Sequence, residues 1–431
     1  MNITIYRGTQ EIGGILIELK TAQTRLLVDA GYPLFLKGQP IDDSVARLPA
    51  DKLLELGVLP GIAGLYAWDE PDFDAVVISH AHIDHYGLLK YLHPAIPVWL
   101  SEGTQKIIEL SQRFRTVDSF PVNARRFRMY EPFTVGDIRI RPYLMDHSAF
   151  DAAAFEFAAE RKTVIYSGDF RGHGRKAVCL DRFIRRATKQ ADVLLTEGTM
   201  LGRPDEAVPT EDELQKVITK AAADSRGPVL FQCSSQNIDR LVTFYKAALS
   251  TGRLFVVDVY TANVLHELHM TGTRIPYPSR AYPHIRVFYP KELTQKVFDK
   301  IGEEYARRFS PFWISREQVA QKQENIMMNV RPSMQRDIAK CGLHGGLFIY
   351  SLWDGYRGEK YQQDFEAYLQ GIGFSCRSIH TSGHAAANDI QRMVAKLDPK
   401  KIVPVHTMDP QAFRSFSDKV VLQENGKEFA V

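Results

Sequence analysis

A short apolar run, Val76-Val77-Ile78, empties into Ser79-His80-Ala81-His82-Ile83-Asp84-His85, and few folds can use that sequence. The β-branched run reads as a buried strand. The residues after it offer four metal-capable side chains within six positions. Gly87-Leu88-Leu89-Lys90-Tyr91-Leu92 then reads as the start of a helix. Strand, ligand loop and helix in that order place the ligands at the C-terminal end of a strand, a common position for sites in layered α/β folds.

At 431 residues the chain suits two or three structural units. Its 45% hydrophobic and 24% charged content is that of an ordinary globular protein. A net charge of +3 does not announce a nucleic-acid binder, although a neutral total can hide a basic groove. Cys179, Cys233, Cys341 and Cys376 are scattered with no C-x-x-C pair, so neither a disulfide framework nor a zinc knuckle is expected. No signal peptide, lipidation motif or membrane-spanning run is apparent, and the expected location is cytoplasmic.

The opening is β-rich, with runs at Ile3–Tyr6, Gly14–Leu19 and Arg25–Asp29. Val98-Trp99-Leu100 reads as a strand, Ser101–Phe114 as a capped helix, and further strands fall near 137–145, 155–157 and 163–166. From about 205 the texture changes. A helix begins at Thr210-Glu211-Asp212-Glu213, and strands at 229–231 and 254–257 alternate with helices as a second α/β unit. Residues 271–345 are the least readable. Motif density returns with His380-Thr381-Ser382-Gly383-His384, a helix at 386–397 and the strand Ile402–His406.

Four further apolar runs end in a ligand-type residue. They lead to Asp146-His147, to Ser167-Gly168-Asp169 with a glycine that admits close approach, to Glu197, and to His406. Nitrogen and carboxylate donors without thiolate suit Zn²⁺ or Mn²⁺, and a set this large suits two ions. Singly, each has a bland reading: His147 as a hydrogen-bonded core residue, Asp169 as a helix cap, Asp29 as a turn aspartate. Their joint occurrence at strand ends is what argues for a metal site.

With these residues in place, the chain resembles the metallo-β-lactamase-fold hydrolases of the β-CASP branch, the group of ribonuclease J and the pre-mRNA 3′-end endonuclease. The matching residues are Asp29, His80-Ala81-His82-Ile83-Asp84-His85, His147 and Ser167-Gly168-Asp169. Three later segments look like the β-CASP motifs: Thr196-Glu197-Gly198-Thr199, Ser382-Gly383-His384-Ala385 and Pro404-Val405-His406. Glu11-Ile12-Gly13 looks like the ribonuclease J opening. The resemblance implies a four-layer αβ/βα sandwich of class α/β. It spans 1–204 and 369–431, with an inserted α/β β-CASP domain at 205–368.

The resemblance further implies His80, His82 and His147 on one divalent ion and Asp84, His85 and His406 on the other, with Asp169 bridging. Zinc is the first expectation and manganese the second. It places His384 as proton donor, with Glu197 orienting it and Asp84 counted among the catalytic groups, and it places Asp29 behind the ligand loops. His380, Ser382, Gly383 and Ala385, in a loop before a helix, become phosphate contacts, with Ser234 and Ser235 weaker candidates. The basic run Arg171, Arg175, Lys176, Arg182, Arg185 and Arg186 is either a solvated helix face or a phosphate-contact surface.

The implied function is two-metal hydrolysis of single-stranded RNA, endonucleolytic or from the 5′ end, with a homodimer allowed and no membrane partner. A DNA nuclease and a small-ester, lactone or thioester hydrolase are the alternatives, and a non-catalytic nucleic-acid-binding subunit is a third. Two departures qualify the match. The sequence ends at Val431, shortly after His406, so no further C-terminal domain is expected, and Pro404-Val405-His406-Thr407 differs from the His-Gly-Glu ending of ribonuclease J.

Overall fold

The computed structural model describes residues 1–36, 38–41, 43–114, 120–203 and 208–431. The expected domain boundary at 204/205 lies outside them.

Two sheets stack through one apolar layer. The first has seven strands, in the order Glu428–Ala430, Asn2–Arg7, Leu16–Lys20, Arg25–Val28, Ala75–Val77, Val98–Leu100 and Ala124–Arg126. The second has six, in the order Lys401–Val405, Val193–Glu197, Lys162–Tyr166, Ala153–Ala159, Ile138–Leu144 and Phe133–Val135. Alternation along each strand decides which side chain faces which layer. Val164, Tyr166, Val193, Leu195, Val403 and Val405 pack inward against Ile5, Ile17, Val28 and Val77 of the first sheet. Their neighbours Ile165, Leu194 and Ile402 pack outward against Leu180 and Phe183 of helix Val178–Arg186 and Ile390 and Met393 of helix Ala387–Leu397. On the far side of the first sheet, Leu27, Val76 and Val98 meet Ile107 and Ile108 of helix Glu102–Phe114. Helix, sheet, sheet and helix form the four layers.

A third sheet of six parallel strands forms the second unit, in the order Ile285–Phe288, Leu254–Asp258, Ile326–Asn329, Val229–Gln232, Gly346–Tyr350 and Phe374–Ser378. Two of these strands lie inside the stretch 271–345 that resisted reading. The last strand, Phe374–Ser378, extends this unit past the expected limit of 368. Its opening helix Glu211–Asp224 carries a reciprocal cap, Thr210 Oγ1 accepting from Glu213 N while the Glu213 carboxylate accepts from Thr210 N. Helices Glu102–Phe114 and Val259–His269 join the units through a Phe114–Tyr260 ring contact at 5.2 Å and a Lys106–Glu267 ion pair at 3.2 Å.

The chain then returns. Lys401–Val405 adds to the second sheet beside Val193–Glu197, and Glu428–Ala430 adds to the first beside Asn2–Thr4. No helix among the described residues is long and apolar enough to cross a membrane.

Candidate metal centre

The candidate ligands emerge where the strands of the two stacked sheets end. The expected loop at 80–85 is partly helical: Ile83–Tyr86 forms a single turn, so Asp84 and His85 project from a helix rather than from a loop. The expected helix after Gly87 shrinks to the 3-10 turn Leu89–Tyr91. In the second sheet the strands Lys162–Tyr166, Val193–Glu197 and Lys401–Val405 run parallel and side by side. They deliver Asp169, Glu197 and His406 to one edge. Gly168 has a φ of +54°, and a Cβ there would sit 2.5 Å from the carbonyl oxygen of Ala153, so the approach expected of that glycine is real.

Three groups of ligand-capable atoms converge, each within 4.8 Å: His80, His82, His147 and Asp169; Asp84, His85 and His406; and Asp169, Glu197, His384 and His406. Asp169 Oδ2 is the common element, 3.2 Å from His85 Nε2 and between 3.7 and 3.9 Å from His406, His80 and His147 Nε2.

Most of the imidazoles are held from behind. Asp29, itself in the left-handed region at φ 58°, accepts from Ser79 N at 2.7 Å, and its Oδ2 accepts from Ser79 Oγ, His85 Nδ1 and Tyr166 OH, each at 2.8 Å. The bond to Asp29 uses the Ser79 hydroxyl hydrogen, so Ser79 Oγ accepts from His80 Nδ1 at 3.0 Å. His147 Nδ1 donates to the carbonyl of Gly383 at 2.5 Å. Thr199 Oγ1 accepts from His406 Nδ1 at 2.7 Å and donates to the His406 carbonyl at 3.2 Å. Each bond engages Nδ1 and so turns Nε2 toward the cluster.

Whether these residues suit a metal is tested by what they lack. His80 Nε2, His85 Nε2 and both oxygens of Asp169 are buried without a hydrogen-bond partner among the described residues. Four such buried atoms facing one another are costly unless a cation, proton or metal, lies among them. An all-nitrogen-and-oxygen donor set fits zinc or manganese.

Electrostatics separates the ligands. Burial pushes His80 and His147 well below the usual histidine range and His82 to about 4, so these rings are neutral donors. His85 moves the other way: Asp169, Asp29 and Asp84 overcome its burial and hold it well above the usual range. Burial works against the Asp84 anion as well, but His85 and His406 outweigh it and hold that carboxyl at about 2. Without a cation the cluster therefore carries a proton that a metal would displace.

His384 stands at the edge of the cluster, its Nδ1 3.1 Å from Glu197 Oε2, while Glu197 Oε1 accepts from Phe170 N at 2.8 Å. Burial opposes its charge, but Glu197 and Asp169 prevail and raise it to about 9. His380 accepts from Arg240 Nη1 at 3.2 Å, and burial together with that guanidinium lowers it to about 4. Ser382 Oγ accepts from His384 N at 3.0 Å, and no side chain caps the following helix at Ala386. Ser235 is occupied by Thr261 at 2.8 Å, and Ser234 is exposed and accepts from Gln236 N.

The basic run divides: Arg182, Arg185 and Arg186 form the solvated helix face expected of it, while Arg171, Arg175 and Lys176 turn inward to carboxylates. Arg171 is fully buried, pairing with Asp146 at 3.1 Å, Asp239 at 2.8 Å and Glu211 at 3.4 Å, and donating to the Ser382 carbonyl at 3.3 Å. Arg175 pairs with Asp212 and Lys176 with Asp239. Only Arg182, Arg185 and Arg186 are exposed. Arg240, also fully buried, continues the network from Glu211 to His380 and the Thr381 carbonyl, and His173 donates to the Ser382 carbonyl at 2.9 Å. Arg171 and Arg240 alone were separable from ordinary surface charge by nothing in their local sequence.

Comparison with known proteins agrees with this geometry. The beta-lactamase superfamily domain matches residues 61–221, and the Zn-dependent metallo-hydrolase RNA specificity domain matches residues 371–430. Ribonuclease J of Sinorhizobium meliloti is 25% identical over 370 residues, covering 81% of this chain and 60% of that protein. Ribonuclease J of Helicobacter pylori is 22% identical over 424 residues, covering 94% of this chain and 56% of that protein. The chain thus spans less than two thirds of the length of these relatives. A solved structure of a protein of unknown function from Enterococcus faecalis superposes with a TM-score of 0.77 at 20% identity, covering 100% of this chain and 99% of that one. Fold and site define a metallo-β-lactamase-fold protein carrying an RNA-specificity domain. Within that class the chain is similar to ribonuclease J over most of its own length.

Proposed function

We propose that this chain is a two-metal phosphodiesterase acting on single-stranded RNA. The observation that carries the reading is the convergence of bare His80 Nε2, His85 Nε2 and Asp169 oxygens beside a histidine locked to a carboxylate, His384 on Glu197. The matched RNA-specificity domain and the ribonuclease J relatives support RNA over DNA. On this reading residues 208–378 are the β-CASP insertion.

His80, His82 and His147 would hold one ion, Asp84, His85 and His406 the other, with Asp169 between them, zinc being the first candidate. Bound cations would supply Lewis-acid polarisation of the phosphodiester and a nucleophile at neutral pH. The chain's own residues do the rest. His384, protonated at neutral pH and fixed through Nδ1, keeps its Nε2 proton for the leaving oxygen. Glu197 cannot rotate away, because its other oxygen holds Phe170 N. Neutral His380, Ser382 and the backbone at Gly383 and Ala385 precede an uncapped helix N-terminus and favour a phosphate. Asp29 keeps the ligand set rigid. Ser235 already has a partner and contributes less, and Ser234 remains accessible.

The test is cleavage of matched RNA and DNA oligonucleotides, 5′-monophosphorylated or 5′-hydroxyl, with Zn²⁺ or Mn²⁺, beside metal analysis. RNA cleavage lost in Asp84→Ala and His384→Ala, with two ions per chain, is the expected result. A 5′-monophosphate preference adds the exonuclease mode. Ions bound without cleavage of either polymer overturns the reading in favour of a small-ester hydrolase.

A further inference from the structure

The second unit carries a short 3-10 helix, Asp354–Gly358, three residues after the strand Gly346–Tyr350. It is firmly tied down. Tyr350 OH donates to the Trp353 carbonyl at 3.1 Å, Tyr356 N donates to the same carbonyl at 3.1 Å, and Ser378 Oγ donates to Asp354 Oδ1 at 3.1 Å. Ser351 Oγ donates to the Ile379 carbonyl at 2.6 Å, so the segment is laced to the chain that leads into His380 and His384. Arg357 Nε adds a bond to Glu366 at 3.0 Å.

What this scaffold presents is aromatic and uncovered. Trp353 is 48% and Tyr356 51% exposed, and their rings meet edge to face at 5.3 Å and 88°. Trp353 is seated against Gly355, where a Cβ would come within 2.4 Å of its ring. Tyr356 lies within electrostatic range of Asp84, whose carboxylate, after the surrounding protein, raises its hydroxyl. The other exposed apolar side chains beside the ligands are Ile83, adjacent to Asp84, and Met408, two residues past His406.

Half of the Tyr356 side chain stays open to solvent although Trp353 fixes its ring. At the mouth of a centre that holds a phosphate, the nearest flat apolar group a substrate brings is the base attached to that same nucleotide. Stacking there needs no hydrogen-bond pattern, because every base has a π-face. We propose that Tyr356, braced by Trp353, is the stacking platform for an unpaired base flanking the phosphate that is cleaved. This inference rests on the nuclease reading above and adds to it the residue that recognises unpaired substrate.

The experiment compares wild type, Tyr356→Phe and Tyr356→Ala on a single-stranded RNA with a mapped cleavage site, and on the same RNA with an abasic ribose on either side of it. Binding of the labelled oligonucleotide is measured alongside. Loss of one stacked base predicts a KM about 10-fold higher for Tyr356→Ala with kcat near wild type, and Tyr356→Phe unchanged. On one of the abasic substrates wild type should lose the same factor and Tyr356→Ala should lose nothing more. Wild type that cleaves RNA while Tyr356→Ala keeps its KM, or loses equally on intact and abasic RNA, overturns the platform alone. Wild type that neither cleaves nor binds RNA overturns the nuclease reading and the platform with it.

Discussion

His147 Nδ1 donates to the carbonyl oxygen of Gly383, 236 residues further along the chain, at 2.5 Å. One bond thus ties a candidate metal ligand of the first unit to the loop that carries His384. Gly383 has no room for a side chain: a Cβ would lie 2.5 Å from Ser148 Oγ and 2.9 Å from Ser148 Cβ. Gly383→Ala should therefore push the loop off His147 and lower metal affinity by about 10- to 100-fold, the usual cost of losing a partner behind a ligand. Adding Ser148→Gly should restore most of it. Metal titration followed by calorimetry checks this, and a double variant as weak as the single would refute the steric cause.

Asp29 collects four donors at one carboxylate, from the Ser79 backbone and hydroxyl, His85 and Tyr166. Asp29→Asn replaces an acceptor-only group with one that brings its own N–H donors into that crowd. The expected outcome is a weaker centre, by about 10- to 100-fold in metal affinity. His85, deprived of one of the anions that hold its charge, should titrate lower in the metal-free protein. An unchanged metal content after dialysis against a competing chelator would sink the assignment.

In the metal-free chain His384 should titrate near 9, because Glu197 and Asp169 favour its cation more than burial disfavours it. The folded pKa lies above the ordinary value of about 6.5. Its contribution to stability is therefore complete below about pH 6.5 and disappears as pH rises through about 9. Glu197→Gln should move the titration down and bring that loss to lower pH. Histidine NMR titration reads the shift directly. Loading divalent ions, which neutralises Asp169, should also lower it.

Arg171 is enclosed by Asp146, Glu211 and Asp239. Arg171→Ala would leave buried carboxylates without their cation, a change that costs about 3–5 kcal/mol. Urea denaturation should show an unfolding free energy lower by that amount, with activity lost as well, because Arg171 and His173 both hold the Ser382 carbonyl in front of His384. A shift below about 1 kcal/mol would mean that water replaces the guanidinium.

The parts of the site legible from sequence are those written locally. His80, His82, Asp84 and His85 follow one buried strand, and Asp169, Glu197 and His406 each end another, so strand periodicity alone gathers them. Thr199 was in view as part of a motif, but its bond to His406 depends on a return of the chain two hundred residues later. The basic run misleads for the same reason. A row of arginines looks solvated when its partners, Asp146 before it and Glu211 and Asp239 after it, are far along the chain. Tyr356 carries no local sign at all, since only the packing of the second unit brings it near Asp84.

The strand Lys401–Val405 joins Val193–Glu197 in a fixed register, Val405 opposite Glu197. Because side chains alternate faces along a strand, a slip of one residue would exchange Val403 and Val405, now in the core, with their outward neighbours, and would shift His406 along the edge. Placement of His406 therefore depends on the phase of re-entry and not on the length of the excursion between residues 198 and 400. The six-stranded unit within that excursion can lengthen or shorten without retuning the ligands so long as Thr199 and the loop 380–384 stay, because Thr199 holds His406 and Gly383 holds His147. A chimera that swaps the unit but keeps both strands in step and the loop 380–384 in place would inherit the chemistry of one parent and the substrate surface of the other.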